Sequence, residues 1–505
     1  MAFIDARTLP EATEIEADLI IIGGGLAGIA IAKQWAGLNK TVAILESGGL
    51  EREDDTQLLY AGGGLMRGPG NPDRNIDNYL IQSRARWYGG SGNVWGGKCA
   101  PLDESDFAHR DWLPRTGWPI TREAMQPYYD RACDLLQIRR FDRDWDSTPN
   151  SQRPPLRVSD EFHSSPRVFS ALSGEVDKPR FDSFRNDFVE PSQNIRVYLN
   201  ANVTNIAVRR EREVENLEVR TLNGRRHTAR GRAYVLATGG IENVRLLLSS
   251  GGIGNHSDFL GRCFQGHVTF GVYEDAEGAN TMLCVSDGQN MSLYADNGRD
   301  NVHCVLASTL EGQRRFCTGN FTTTLFGADD SPSAEDGAVL ALAARLDANG
   351  AAARTHGCFF MAEQFPYLES RLSLLPEHTD AFGMPRVFLD WVYSEQDFDN
   401  LERSIAALGD ALGAEGKGRI RWPVNRQALI ATLSPSRHHM GMTRMSADPD
   451  GGVVDENCRI HGVRNLYIAG CSVFPTSGIA NPTLTIIALT MRLSDHLKRQ
   501  LGVRI

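Results

Sequence analysis

The stretch Ala17–Ser47, ADLIIIGGGLAGIAIAKQWAGLNKTVAILES, decides the fold. Asp18–Ile22 is a short apolar, β-branched run, the pattern of a strand buried on both faces. It leads into Gly23-Gly24-Gly25-Leu26-Ala27-Gly28, then a helical segment over Ile29–Leu38 and a second buried strand, Thr41–Leu45, that ends at Glu46. Strand, glycine turn, helix and strand make a βαβ unit with its acid where a dinucleotide's ribose is held. In such a unit Gly23 makes the tight turn, Gly25 lets a pyrophosphate approach the backbone, and Gly28 lets helix pack on strand. The helix N-terminus offers N–H groups and a positive dipole end to the phosphates, and the Glu46 carboxylate accepts from a ribose hydroxyl. The fingerprint alone does not choose FAD over NAD.

Working outward, the chain has 505 residues, enough for two to four units of roughly 100–200 residues each. Sixty-three acids against 53 bases give a net charge of -10, which argues against nucleic acid or an anionic membrane surface as a partner. Fifty glycines suit a chain that brings its backbone close to a bulky ligand. The nine cysteines are scattered, with no C-x-x-C and no Cys/His zinc spacing, so no metal site is expected and the usage fits a reducing, cytoplasmic setting. The opening residues lack the pattern of a signal peptide. No apolar run approaches the ~20 residues that span a bilayer, so no membrane association is expected.

Strand patterns recur at Asn194–Val208 and Ala233–Leu236, the latter leading into Ala237-Thr238-Gly239-Gly240 and a helix over Glu242–Leu248. Ile81–Cys99 reads as a glycine-rich loop, 120–136 as a helix, and 138–190 as irregular. Alternating patterns at His267–Tyr273, Asn301–Thr309, Cys358–Gln364, Ser370–Leu374 and Arg386–Val392 predict an antiparallel sheet, followed by a helix over Glu395–Leu412. The end returns to strand Leu466–Ile468 and helix Thr483–Leu497. The expected class is α/β: a Rossmann-like dinucleotide-binding domain (15–110, 190–262 and 432–505) interrupted by an α+β substrate domain with an antiparallel sheet (111–189 and 263–431).

Three further segments narrow the reading. Arg86-Trp-Tyr-Gly-Gly-Ser-Gly-Asn93-Val-Trp-Gly-Gly97 resembles the second glycine-rich flavin loop of the glucose–methanol–choline (GMC) oxidoreductases. His438-His-Met-Gly441-Met-Thr-Arg-Met445 is similar to that family's H-x-x-G-T-x-x-M region. Ala469-Gly-Cys-Ser-Val-Phe-Pro475-Thr-Ser-Gly-Ile-Ala-Asn481-Pro-Thr-Leu-Thr485 resembles its C-terminal signature. Gly117-Trp-Pro-Ile with Tyr128-Tyr129, Leu260-Gly-Arg-Cys-Phe and Ser370-Arg371-Leu372 also fit. The resemblance covers nearly the whole chain and points to the branch of pyranose oxidase, sugar dehydrogenases and sugar-tailoring enzymes of antibiotic pathways. It implies an ADP site at Gly23, Gly25, Gly28 and Glu46, with Val203 at the adenine. It also implies a loop along pyrophosphate and isoalloxazine at Gly89, Gly90, Ser91 and Asn93, with Ala237, Gly239, Gly470, Pro482 and Thr483 as further cofactor contacts. His438 matches the active-site histidine and Asn481 the second active-site position. Met442 departs from the family's threonine, with consequences expected for flavin contacts or pocket width. No S-T-H-W-like sequence occurs, so non-covalent FAD is expected.

The implied activity is oxidation of a hydroxyl of a sugar, glycoside or amino-sugar such as an aminoglycoside to a carbonyl. His438 takes the proton, hydride passes to flavin N5, and oxygen, a quinone or another carrier is the electron acceptor. A neutral imidazole suits the base and the Asn481 amide can steady the alkoxide-like oxygen. Two alternatives stand beside it: a lyase of the same fold with structural flavin, or an oxidase of a non-sugar alcohol. Adjacent His439 competes with His438 for the role. Asn481, followed by Pro482 and an apolar helix, also reads as an N-cap. His267 and His303 read as packed or pocket-lining residues in strands.

Overall fold

Leu19, Ile20, Ile21 and Ile22 are all buried, as an unbroken apolar run requires of a strand covered on both faces. The structure is a computed structural model that describes residues 2–70, 73–141, 158–172, 181, 184–209, 212–271, 282–286, 302–329, 353–421, 426, 433 and 435–503. The strand Glu14–Ile22 lies between Val42–Leu45 and Arg226–Leu236 and runs parallel to both. Ile195–Leu199 and Phe3–Asp5 extend the parallel sheet beyond Val42–Leu45. On the other side Leu466–Ile468 pairs with Tyr234–Leu236. Val214–Arg220 and Asn202–Val208 complete this eight-stranded sheet as an antiparallel meander.

The registers decide where a ligand can sit. Ile22 pairs with both Leu45 and Leu236, and Leu236 with Ile468, so the carboxyl ends of these strands lie level. Gly23, Glu46, Ala237 and Ala469-Gly470 therefore leave the sheet along one edge, the place where open α/β sheets bind their ligands. Three helices begin there: α1 (Leu26–Trp35), α2 (Gly240–Ser249) and α3 (Thr483–Gln500). Lys498 and Arg499 in the last turn of α3 suit its negative dipole end.

A second sheet of eight strands is antiparallel throughout. Its strand Ala353–Glu363 is flanked by Phe321–Asp329 and by His267–Gly271 and Met282–Ser286. A four-stranded sheet joins Arg371–Thr379 and Pro385–Val392 to Gly63–Arg67 and Arg74–Asn75. The expected α/β class with an antiparallel substrate sheet is the architecture observed.

Several elements differ from expectation. Within 138–190, Phe162–Phe169 is a strand paired with Val302–Ser308; its Ser164-Ser165-Pro166 centre hides the alternation. Asn194–Val208 is two strands, broken where Asn200 takes φ +57°. Helices α1 and α2 start earlier than predicted, directly after Gly25 and Gly239, and only Gly239, at φ +86°, needs glycine for the turn. Gly63–Arg67 and Lys98–Cys99, expected in the dinucleotide domain, pair with strands of the two other sheets. The helix Arg122–Leu136 is bonded to α3: Tyr129 Oη lies 2.9 Å from Thr485 Oγ1, and Arg131 pairs with Asp495 at 2.6 Å. Val272, Tyr273 and Asn301, at the ends of predicted strands, lie outside the described residues. Among the described residues no helix is long and apolar enough to cross a membrane, and no group of His, Cys, Asp and Glu is placed to hold a metal ion.

Candidate active site

The glycines after the first strand have distinct duties. Gly23 holds φ +105°, and a Cβ there would stand 2.5 Å from the Ala237 carbonyl oxygen. At Gly28 it would stand 2.1 Å from the Gly23 oxygen, so α1 reaches the strand only because no side chain intervenes. Gly25 is different. Its nearest neighbour would be Gly90 Cα at 3.9 Å, so the protein itself leaves the space over it open. Gly25 caps α1 without a side-chain bond, and the caps of α2 (Gly239) and α3 (Pro482) make none either. Three positive helix ends thus converge on one cavity of about 440 Å³.

That cavity is lined by most of the sequence-predicted residues: Gly23, Gly25, Glu46, Gly90, Ser91, Val203, Ala237, Gly239, Gly470, Pro482 and Thr483, with His438 and Asn481. Glu46 accepts from the Gly24 amide at 2.7 Å and the Gly48 amide at 2.8 Å. Burial outweighs those bonds and raises its carboxyl above the usual value. Gly28, Gly89 and Asn93 stand behind the wall instead of on it. Gly89 donates its amide to the Gly24 carbonyl, tying the second glycine loop to the first. Asn93 Nδ2 donates to the Tyr88 carbonyl at 2.8 Å, and a Cβ on Gly89 would lie 2.3 Å from that amide. These residues shape the loop; Gly90 and Ser91 present it. Met442, expected to affect flavin contacts or pocket width, is fully buried and off the cavity wall, its turn placing the side chain in the core.

His438 and His439 differ sharply. Tyr79 Oη donates to the Ser436 carbonyl at 2.6 Å, so His439 Nε2, 2.9 Å from the same oxygen, must donate its proton there. His439 has no free Nε2 lone pair. His438 Nε2 instead lies 3.4 Å from Asn481 Nδ2, and its Nδ1 lies 3.0 Å from Nδ1 of His267. Burial pushes the His438 imidazole down to about 4, so the ring is neutral at physiological pH. Asn481 is no N-cap. Pro482 holds that position, the helix starts at Thr483 without a side-chain cap, and the Asn481 amide is turned to His438.

The GMC oxidoreductase model, in its C-terminal part, matches residues 366–490. Residues 366–490 thus carry the C-terminal domain of the GMC oxidoreductases. Similar curated proteins include 6'''-hydroxyparomomycin C oxidase of Streptomyces lividus, 28% identical over 330 residues, which are 60% of this chain and 52% of that protein. The matched stretch thus spans about half of that relative. The fructose dehydrogenase large subunit of Gluconobacter japonicus is 22% identical over 96% of this chain and 98% of its own. Among solved structures, an R554K variant of formate oxidase from Aspergillus oryzae RIB40 matches with a TM-score of 0.60 at 16% identity, covering 97% of this chain and 99% of that one. That likeness concerns the fold.

The GMC oxidoreductases carry FAD, and the cavity of this chain fits that group. Open space over Gly25 beneath three uncapped helix ends suits a pyrophosphate, and the Glu46 carboxylate on the wall suits a ribose. Sequence reasoning missed one part of the wall, a charged cluster. Glu242 is bonded by Arg84 (2.8 Å), Arg86 (3.3 Å) and Arg245 (3.4 Å), while Arg245 also pairs with Asp380 at 2.6 Å. The Arg84 and Arg86 guanidiniums lie 3.9 and 4.7 Å from the Tyr60 ring centroid. Burial would raise the Glu242 carboxyl, but Arg245, Arg84 and Arg86 together hold it at about 2. Only the Glu242/Arg245 spacing of three on a helix hints at this cluster in the sequence.

Proposed function

We propose that this chain uses non-covalent FAD to oxidise a hydroxyl of a sugar, glycoside or amino-sugar such as an aminoglycoside to a carbonyl. The observation that carries the reading is the pairing of His438 Nε2 with the Asn481 amide on the same cavity wall as the dinucleotide cradle. The names of the relatives, an oxidase of a hydroxylated aminoglycoside and a fructose dehydrogenase, support the substrate class. When bound, FAD supplies the acceptor for the carbinol hydride, and oxygen, a quinone or another carrier restores it.

The chain's own residues handle the proton. His438 presents a bare Nε2 to the hydroxyl and accepts its proton. A base titrating at about 4 is always ready at neutral pH but accepts weakly. The Asn481 Nδ2–H therefore matters, because it steadies the negative charge that develops on the substrate oxygen. Protonated His438 has no lone pair, so activity is lost as pH falls. The rate of anaerobic flavin reduction is expected to stay flat through neutral pH and to decline in acid around about 4. A midpoint at the ordinary imidazole value would contradict this.

Asn481→Ala is expected to leave thermal stability unchanged, since no cap bond is lost. It should slow flavin reduction on the order of 100-fold, the usual worth of one charge-stabilising donor. Melting curves and stopped-flow reduction separate the two effects, and a drop in melting temperature with normal reduction would return Asn481 to a structural role.

A further inference from the structure

Outside the residues already assigned, His267 is the group that bears most directly on the site. It opens the strand His267–Gly271, is fully buried, and sits opposite Glu363 in the antiparallel register. Its backbone N–H donates to Ser436 Oγ, two residues before His438. Its ring meets that of His438 edge-on, with centroids 4.9 Å apart at 79°. The two Nδ1 atoms are 3.0 Å apart.

Two imidazole nitrogens at that distance need one proton between them. Two lone pairs would repel, and two N–H groups would collide. Asn481 settles which ring holds the proton. Its Nδ2 is a donor, so the His438 Nε2 facing it is bare. The proton of neutral His438 then sits on Nδ1 and is donated to a bare Nδ1 of His267. The proton of His267 in turn sits on Nε2, and hydrogen bonding to the backbone of Ser477 and Gly478 favours the protonated ring. The order of protons runs without a break from the edge of the second sheet to the cavity.

We propose that His267 is a positioning residue that, through its bare Nδ1, holds the proton of His438 on Nδ1 and keeps His438 Nε2 free to accept the hydroxyl proton. This rests on the reading of His438 as the base. An outer partner that sets the tautomer of an imidazole acts in the same way as the carboxylates and carbonyls behind other catalytic histidines.

The test combines spectra with kinetics on the FAD-loaded protein. Nitrogen-15 NMR of histidine-labelled enzyme at neutral pH is expected to show His438 protonated at Nδ1 and bare at Nε2, and His267 the reverse. His267→Leu should slow anaerobic flavin reduction on the order of 10- to 100-fold with little change in half-saturating substrate concentration. His267→Asn places an amide oxygen where Nδ1 stood and should recover most of that loss. A bare Nδ1 on His438 in the wild-type spectrum overturns the proposal, and so does wild-type reduction by His267→Leu or a His267→Asn enzyme no faster than His267→Leu. If His267→Leu does not fold, the wild-type spectrum and His267→Asn decide. Failure of the base reading is recognised separately: His438→Ala would then reduce flavin normally, whatever the spectra show.

Discussion

His438→Ala is expected to keep the fold and bound FAD yet slow anaerobic flavin reduction by about 10²–10⁴-fold, the usual worth of a general base. The expectation rests on a neutral ring whose Nε2 is turned to the cavity beside Asn481, while His439 has its Nε2 proton engaged by Tyr79. The loss should shrink at high pH, where more of the substrate alkoxide forms unaided. His439→Ala removes a buried ring that packs against Tyr79 and Phe264, so its effect should appear in stability before it appears in rate. Stopped-flow bleaching of both variants against one substrate checks the assignment. Normal reduction by His438→Ala with slow reduction by His439→Ala would move the base to the neighbour.

Gly25→Val carries the second large effect. Gly25 has φ -78°, which any residue adopts, and a Cβ there meets no protein atom nearer than 3.9 Å, so the variant should fold. The new side chain fills the space through which a pyrophosphate reaches the backbone of α1. FAD affinity is expected to fall about 100-fold or more, close to 3 kcal/mol at 1.4 kcal/mol per tenfold. Gly28→Val makes the contrast. Its Cβ would lie 2.1 Å from the Gly23 carbonyl oxygen, so that variant should lose the fold together with the cofactor. Circular dichroism with a flavin titration of the two proteins distinguishes a blocked cradle from a broken one. Full FAD binding by Gly25→Val would place the dinucleotide elsewhere.

What was legible in the sequence was local. Gly23, Gly25, Gly28 and Glu46 announce themselves because a tight turn, a close approach and a strand-end acid each demand one residue type within one βαβ unit. The loop 86–97 and the segments around His438 and Asn481 are likewise continuous in sequence, and the structure brings them to one cavity. Roles that arise from pairing across the chain were hidden. His267 reads as a packed strand residue until the fold sets it against a ring 171 positions later. Arg84 and Arg86 come from a loop and Glu242 and Arg245 from α2, and no periodicity links the loop to the helix. Asn481 could be read two ways because Asn-Pro before an apolar helix satisfies capping rules and a catalytic motif alike; only the direction of its amide separates them. Gly63–Arg67 has no feature that selects Phe388–Val392 as its parallel partner, so its place in the four-stranded sheet could not be read from pattern.

The central claim is that this cavity passes the hydrogen of a sugar hydroxyl to bound FAD with His438 taking the proton. Anaerobic mixing of the yellow holoenzyme with a panel of pyranoses, glycosides, aminoglycosides and simple alcohols tests it most directly. The account predicts rapid, complete bleaching of the flavin by at least one polyhydroxylated ring, faster than by any simple alcohol, with the flavin released from the chain on denaturation. Flavin that stays oxidised while a substrate is consumed, or that is reduced fastest by a simple alcohol, would contradict it.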